Sequence, residues 1–215
     1  MIYLLRTGGA WRSLPAAFPP WKSVYSRWRR WGQSGLWCDL LKCLQRRAQT
    51  KARFLDATHI KVHQDAHGAA RKLGNQAIGA TKGGCNSKLH VLVDGCGRAV
   101  RIILSAGNEA DISHAPAMVA GLKGLIVAAD KGYDSDALRR QLESAGNICV
   151  IPGKSNRKVA VEYDREFYKW RRLVENFFQR IKRFRRICQR VEKLSATFSN
   201  FVNLAACLDW LALEV

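Results

Sequence analysis

The sequence predicts an α/β fold in which a mixed β-sheet carries helices on its faces and follows a small helical segment. Hydrophobic residues make up 47% of the 215 positions, which is enough for a proper core. Strand patterns start near residue 53 and then alternate with helical patterns, which is typical of a sheet covered by helices. We therefore divide the chain into a basic, Trp-rich helical segment, 1–52, and a sheet-containing domain, 53–215.

The N-terminal segment is expected to hold two helices, roughly 21–33 and 36–49, separated by a turn at Gly32–Gly35. It contains five of the seven Trp residues, mixed with Arg and Lys. Trp at helical spacing beside Leu favours core packing over stacking on bases. The segment is predicted to be either a plain helical bundle or part of a DNA-binding module.

Three strand patterns follow, namely FLDATHIKVH, KLHVLVDG and RAVRIILSAG. The last two are joined by Gly95-Cys96-Gly97, which indicates a hairpin. Residues 64–88, rich in Gly, Ala, Lys and Asn, are predicted to be a mobile loop.

The second half predicts a helix at 111–122, a buried strand in GLIVAADKGY, a helix ended by Gly146, a strand in NICVIPG and a long basic helix over 164–186. At 100° per residue, the last helix has two faces. The polar face carries Tyr168, Arg171, Glu175, Gln179 and Lys182. The face predicted to pack carries Phe167, Trp170, Val174, Phe177, Phe178, Ile181 and Phe184.

Charge is concentrated at the two ends of the chain. The net charge is +19, with ten basic residues against one acidic residue over 1–52, and fourteen against five over 154–193. Nucleic acid is the expected partner, ahead of an anionic membrane. The seven Cys form no Cys-x-x-Cys pair and no signal or spanning segment is evident. A cytoplasmic, nucleoid-associated protein without membrane contact is predicted.

Three acidic residues are candidates for catalysis because of their positions. Asp56 lies inside the first strand, Asp130 ends a buried strand, and Glu175 is on the polar helix face. Burying a carboxylate is costly unless it is paired with or bound to a cation. If the three carboxylates lie close together, a divalent metal must compensate their charges, and we expect two Mg²⁺ or Mn²⁺ ions. Asp130 could instead cap a turn at Lys131-Gly132, and Glu175 could simply pair with Arg171; the residues alone leave these alternatives open.

Other groups have weaker predictions. His59, His63 and His67 share a spacing of four, but a zinc site is disfavoured in a strand; orienting water or phosphate near Asp56, or an ordinary surface role, is favoured. Lys82-Gly83-Gly84 lacks a nucleotide-binding spacing and could touch DNA as a flexible loop. Lys131 is a further predicted DNA contact. A phosphate-binding stripe is predicted at Arg183, Arg185, Arg186 and Arg190.

The spacing Tyr168-x2-Arg171-x3-Glu175-x6-Lys182 resembles the Tyr-Arg-Glu-Lys pattern of bacterial insertion-sequence transposases of the DDE type, in the four/five superfamily. The stretches LDATHIKVH around Asp56 and ADKGYDSDALR around Asp130 are similar to that family's first and second Asp regions. The resemblance covers essentially residues 1–215. Only 45 residues separate Asp130 from Glu175, as in the compact branch without a large insertion.

The resemblance implies a ribonuclease-H-like core in which Asp56, Asp130 and Glu175 bind the metal ions. It implies endonuclease cleavage at the ends of the element and attack of the freed 3′-OH on target DNA, by a homodimer or a larger assembly. Tyr168, Arg171 and Lys182 are implied to contact the end of the element. Relatives usually begin several tens of residues earlier, so truncation is also expected. A non-catalytic DNA-binding remnant and a cellular repair nuclease are the alternatives.

Overall fold

A mixed β-sheet lies at the centre of the protein. The computed structural model describes residues 1–69 and 74–212. The strands are β1 (Ala52–Val62), β2 (Gly79–Thr81), β3 (Gly84–Asp94), β4 (Ala99–Ala106), β5 (Ile126–Ala129), β6 (Ile148–Val150) and β7 (Gln189–Arg190). Within these described residues the seven strands have the order β2-β3-β1-β5-β6, with β4 also on β3 and β7 on β1. Because β1 is antiparallel to β3 and parallel to β5, the predicted mixed sheet is confirmed.

Helices cover both faces of this sheet. They are α1 (Ile2–Thr7), α2 (Trp21–Gln33), α3 (Leu36–Gln45), α4 (Asp111–Val119), α5 (Asp136–Ser144), α6 (Arg165–Tyr168), α7 (Arg172–Lys182), α8 (Arg185–Cys188) and α9 (Ser195–Trp210). The N-terminal helices, α7 and α9 share one apolar cluster with the sheet, while α4 and α5 share the other. This arrangement confirms the α/β, ribonuclease-H-like class, preceded by a small helical segment. In the described part of the chain, no helix has the length and apolar character needed to cross a membrane.

The N-terminal segment packs against the rest of the protein through aromatic side chains. Trp28 is fully buried, and its ring centroid lies 4.4 Å from that of Phe201 on α9. The partly buried Trp11, Trp31 and Trp37 contact the same cluster. Core packing of these Trp residues is thus confirmed. The predicted helix at 21–33 matches α2, whereas the one at 36–49 ends earlier, at Gln45.

The predicted mobile loop at 64–88 is wrong over much of its length. Residues Gln64–Ala66 form a short 3₁₀ turn, and β2 and β3 form a hairpin whose turn holds Lys82 and Gly83. The Asn86 amide donates to Thr81 Oγ1 at 2.6 Å and to the Gly84 carbonyl at 2.9 Å, which stabilises that turn. Residues 70–73 of the predicted loop lie outside the described residues.

The predicted continuous helix over 164–186 is also wrong. A 3₁₀ turn at Lys169–Arg171 separates α6 from α7, and α7 ends at Lys182 before α8 begins. A 3₁₀ turn advances about 120° per residue instead of 100°, so residues before α7 are rotated relative to it. Trp170 is consequently 50% exposed and does not lie on the packed face. The helix predicted at 111–122 likewise ends earlier, at Val119.

Candidate active site

Asp56 and Asp130 occupy neighbouring positions on adjacent parallel strands. The register of β1 and β5 pairs Leu55 with Ala129, and each Asp is the next residue of its chain segment. Phe54 belongs to the cluster on the α7 side of the sheet, and Leu55 belongs to the opposite cluster. Since side chains alternate along a strand, Asp56 faces α7, and the register brings Asp130 beside it.

Arg171 connects Asp56 to Glu175. Its Nη1 donates to Asp56 Oδ2 at 2.6 Å, and its Nη2 donates to Glu175 Oε1. The Asp56 side chain is 18% exposed and the Glu175 side chain 49% exposed, so Arg171 links a largely buried carboxylate to one that is open to solvent. The alternative in which Glu175 pairs with Arg171 is therefore observed, but the same guanidinium also brings Glu175 close to Asp56.

The surroundings of Asp56 favour its neutral form, because the groups that stabilise the negative carboxylate do not offset its burial. Burial raises the pKa of Asp56, and the neighbouring Asp130 carboxylate acts in the same direction. The backbone N–H of Ala57, 2.8 Å from Oδ1, and the Arg171 guanidinium oppose these effects without cancelling them. A further cation at this position would favour the ionised carboxylate.

Asp130 also caps the turn that follows β5. Its Oδ1 accepts the N–H of Gly132 at 2.9 Å, as in the capping alternative. A Cβ on residue 132 would lie 2.9 Å from the same oxygen, which explains why glycine suits this position. Oδ2 has no hydrogen-bond partner in the described part of the chain, so the cap occupies only one of the two carboxylate oxygens.

Lys182 and Tyr168 lie on the same side of the site. Lys182 Nζ donates to Thr58 Oγ1 at 2.6 Å and to the His59 carbonyl at 3.1 Å, and burial lowers the pKa of Lys182. The Arg171 Cζ lies 6.0 Å from the Tyr168 ring centroid. Thr58 was not identified as a site residue from the sequence. Its position two residues after Asp56, on the same face of β1, was the signal that could have identified it.

The predicted arginine stripe divides into exposed and buried residues. Arg183 and Arg185 are exposed, as is Lys131 beside Asp130. Arg186 is 2% exposed and Arg190 0% exposed. Arg186 pairs with Glu192 and donates to the Gly9 carbonyl, and Arg190 Nη1 donates to Ser87 Oγ at 2.7 Å. Because these two guanidinium groups are buried among protein partners, they are not placed to contact phosphate.

None of the three histidines His59, His63 and His67 has a contact with the three carboxylates among the described residues. His59 is exposed on β1, and because it is three residues from Asp56 on a strand, its side chain lies on the opposite face of the sheet. His63 Nδ1 accepts the N–H of Asp65 at 3.2 Å, which caps the short turn after β1. His67 is exposed beyond that turn.

The fit of a divalent metal depends on Arg171. Among residues 1–69 and 74–212, no group of three or more His, Cys, Asp and Glu side chains is placed to hold a metal ion. At Asp56 and Glu175, the Arg171 guanidinium lies between the two carboxylates and donates to both. The donor chemistry itself fits, since Mg²⁺ and Mn²⁺ prefer carboxylate oxygens.

The segment between the second and third acids is short. From Asp130 to Glu175, a range described throughout, it contains α5, β6, α6 and a 3₁₀ turn at each end. It contains no additional sheet, which matches the predicted compact arrangement.

Known transposase families match both parts of the chain. The family described as "Transposase DDE domain" matches residues 47–210, and "Putative transposase of IS4/5 family" matches residues 1–41. The chain is 38% identical over 130 residues to "Putative transposase for insertion sequence element IS6501" of Brucella ovis, covering 58% of this chain and 98% of that relative.

A second relative is covered less completely. The chain is 31% identical over 134 residues to "Putative transposase for insertion sequence element IS402" of Burkholderia cepacia, which covers 57% of this chain and 61% of the relative. No solved structure matched the chain. Because the DDE-domain match spans most of the sequence, including all three acids, the chain belongs to the DDE transposase family of bacterial insertion sequences.

Proposed function

We propose that this chain cleaves DNA at the ends of an insertion sequence and transfers the freed 3′-OH to target DNA. The observation that carries the proposal is the arrangement of Asp56 and Asp130 at adjacent strand positions, with Glu175 joined to Asp56 through Arg171. Asp56, Asp130 and Glu175 would hold Mg²⁺ or Mn²⁺, as a pair of ions. When bound, the metal ions activate the attacking oxygen and stabilise the leaving oxygen in phosphoryl transfer.

The cations around the carboxylates would position the DNA. Lys182 is fixed by Thr58 Oγ1 and the His59 carbonyl, both accepting from its Nζ, so its charge is held on the Asp56 side of β1. Arg171 would turn from the carboxylates toward a phosphate when metal ions compensate them. The exposed Lys131 and Arg185 and the half-buried Tyr168 would add further contacts. Since two ends of the element must be joined, we expect a homodimer or a larger assembly on DNA in the nucleoid.

Metal removal provides the first test. A duplex carrying the inverted repeat that flanks the gene should be nicked by the purified chain in Mg²⁺ or Mn²⁺, and EDTA should abolish nicking while leaving DNA binding in a mobility-shift assay. Excess Mg²⁺ should restore activity. Nicking that persists after exhaustive chelation would refute the proposal, and binding without nicking in either metal would favour the non-catalytic remnant. A repair nuclease would cleave without any requirement for the terminal repeat.

Replacement of Arg171 tests its competition with metal. In the Arg171→Ala protein, Asp56 and Glu175 lose the cation between them, so the carboxylates should bind Mn²⁺ several-fold more tightly in isothermal titration calorimetry without DNA. Arg172→Ala is the matched control, because Arg172 lies over the Trp170 ring at 5.0 Å and has no carboxylate partner among the described residues. Unchanged or weaker Mn²⁺ binding by Arg171→Ala would contradict this role.

A further inference from the structure

A cationic groove lies on the side of α7 that faces away from the carboxylates. It has a volume of about 1010 Å³. Its polar lining consists of Arg6, Cys96, Arg98, Arg180, Arg183 and Asp209, and Ile181, Phe184 and Leu208 contribute apolar surface. Arg180 is five residues after Glu175, or about 140° around the helix, so the two residues serve different surfaces.

Two of the guanidinium groups are fixed in place. Arg98 donates from Nε and Nη2 to Asp94 at 3.1 and 2.8 Å, and its Cζ lies 4.2 Å from the Trp210 ring centroid. Arg180 donates from Nε and Nη2 to Asp209 at 2.5 and 3.0 Å, and from Nη2 to the Gly97 carbonyl at 2.7 Å. In both, Nη1 has no partner among the described residues. Planar donors held in this way lose little conformational entropy when they bind an oxyanion.

The other two guanidinium groups are free to meet a ligand. Arg6 on α1 and Arg183 after α7 are exposed, and neither has a hydrogen-bond or ion-pair partner in residues 1–69 and 74–212. The four arginines are opposed by Asp209 in the lining and by the buried Asp94 behind Arg98, so the groove remains positive by two charges. The groove is far larger than one phosphate group, and its apolar residues suit sugar rings between phosphates.

We propose that this groove binds consecutive backbone phosphates of a DNA segment distinct from the one held at the carboxylates. The choice of DNA as the ligand rests on the proposed function, because joining an element end to a target requires the protein to hold two DNA segments. The arginines lie on α1, in the β3–β4 hairpin, on α7 and directly after α7, so the groove brings the N-terminal segment and the core to one DNA surface.

The test measures binding to a duplex of unrelated sequence in EDTA, by fluorescence anisotropy over a range of NaCl concentrations. The Arg6→Ala/Arg183→Ala protein should lose affinity, and the slope of log K against log salt should fall by about 0.9 per lost phosphate contact, or about 1.8 in total. Lys123→Ala/Arg140→Ala is the charge-matched control, because both residues are exposed and lie outside the groove. An unchanged slope in the Arg6→Ala/Arg183→Ala protein, or an equal loss in the control, would overturn the proposal.

Alkylation of Cys96 gives a second measurement. Its thiol is exposed and lines the groove, so duplex DNA should slow its reaction with a maleimide in the wild-type protein more than in the Arg6→Ala/Arg183→Ala protein. Protection by inorganic pyrophosphate but not by DNA would show a small-anion site and reject the DNA assignment. Neither measurement needs cleavage, so a failure of the proposed catalytic activity would not affect them.

Discussion

Cleavage of element ends should fall by roughly 10²- to 10³-fold or more in each of the Asp56→Asn, Asp130→Asn and Glu175→Gln proteins, since removing one group that stabilises transition-state charge costs about that much. Each substitution removes a negative charge but keeps a side chain of the same shape with one oxygen that can accept a hydrogen bond. The amide introduced at position 56 could therefore still accept from Arg171, and the amide at position 130 could still accept the Gly132 N–H. The loss should appear in the rate of nicking, whereas affinity for a terminal-repeat duplex should stay within a few-fold of wild type.

Glu166→Gln is the matched control for these substitutions. Glu166 lies on α6, close in sequence to the site, but it is exposed and pairs only with the exposed Lys169 among the described residues. The same chemical change should leave nicking near the wild-type rate, because exposed ion pairs of this kind contribute little. Full nicking activity in any one of the three carboxylate variants would remove that residue from the proposed metal site and with it the basis of the mechanism.

The two aspartates could be located from the sequence because Asp56 lies within a strand of alternating pattern and Asp130 directly follows an apolar strand. The apolar run before Asp130 and the alternation around Asp56 predict strands β5 and β1. What the sequence could not provide is their parallel register, which depends on tertiary packing and places Leu55 opposite Ala129. The capping and ion-pair alternatives were both correct as contacts, yet neither excludes a metal site, because Asp130 uses one oxygen for its cap.

The wrong predictions, namely the continuous helix over 164–186, the loop over 64–88 and the arginine stripe, share a physical origin. In each case the structure depends on contacts with distant residues or on a feature that no local sequence pattern marks. The 3₁₀ turn at Lys169–Arg171 contains no Gly or Pro that would mark a break. Gly-rich composition around residue 83 indicated a loop, although it forms the tight turn of a hairpin. The run Arg183, Arg185 and Arg186 was predicted to be a phosphate-binding stripe, and no local pattern marked Arg186 as buried, because its partners Gly9, Trp11, Glu192 and Phe201 come from both ends of the chain.

Those partners make Arg186 a large contributor to stability. Its guanidinium pairs with Glu192, donates to the Gly9 carbonyl, and lies 5.3 Å from the Trp11 ring and 4.7 Å from the Phe201 ring. Burial raises the pKa of Glu192, so the carboxylate depends on the nearby guanidinium for its charge. Arg186→Ala should lower the free energy of unfolding by about 3–5 kcal/mol, since it leaves a buried carboxylate without its cation.

Urea denaturation of paired variants separates this structural role from DNA contact. Arg183→Ala and Arg185→Ala change exposed residues, so their unfolding free energies should stay within about 0.5 kcal/mol of wild type. Replacing both members of the pair, as Arg186→Met with Glu192→Leu, should cost less than Arg186→Ala alone, because the buried carboxylate is removed together with its guanidinium partner. The buried Arg190 guanidinium keeps its acceptors at Ser87 Oγ and the backbone carbonyls of Ala77 and residue 192. If Arg186→Ala instead kept the wild-type midpoint and lost DNA affinity, Arg186 would have to be exposed to phosphate in solution, and the packing of the N-terminal segment through Gly9 and Trp11 would be wrong.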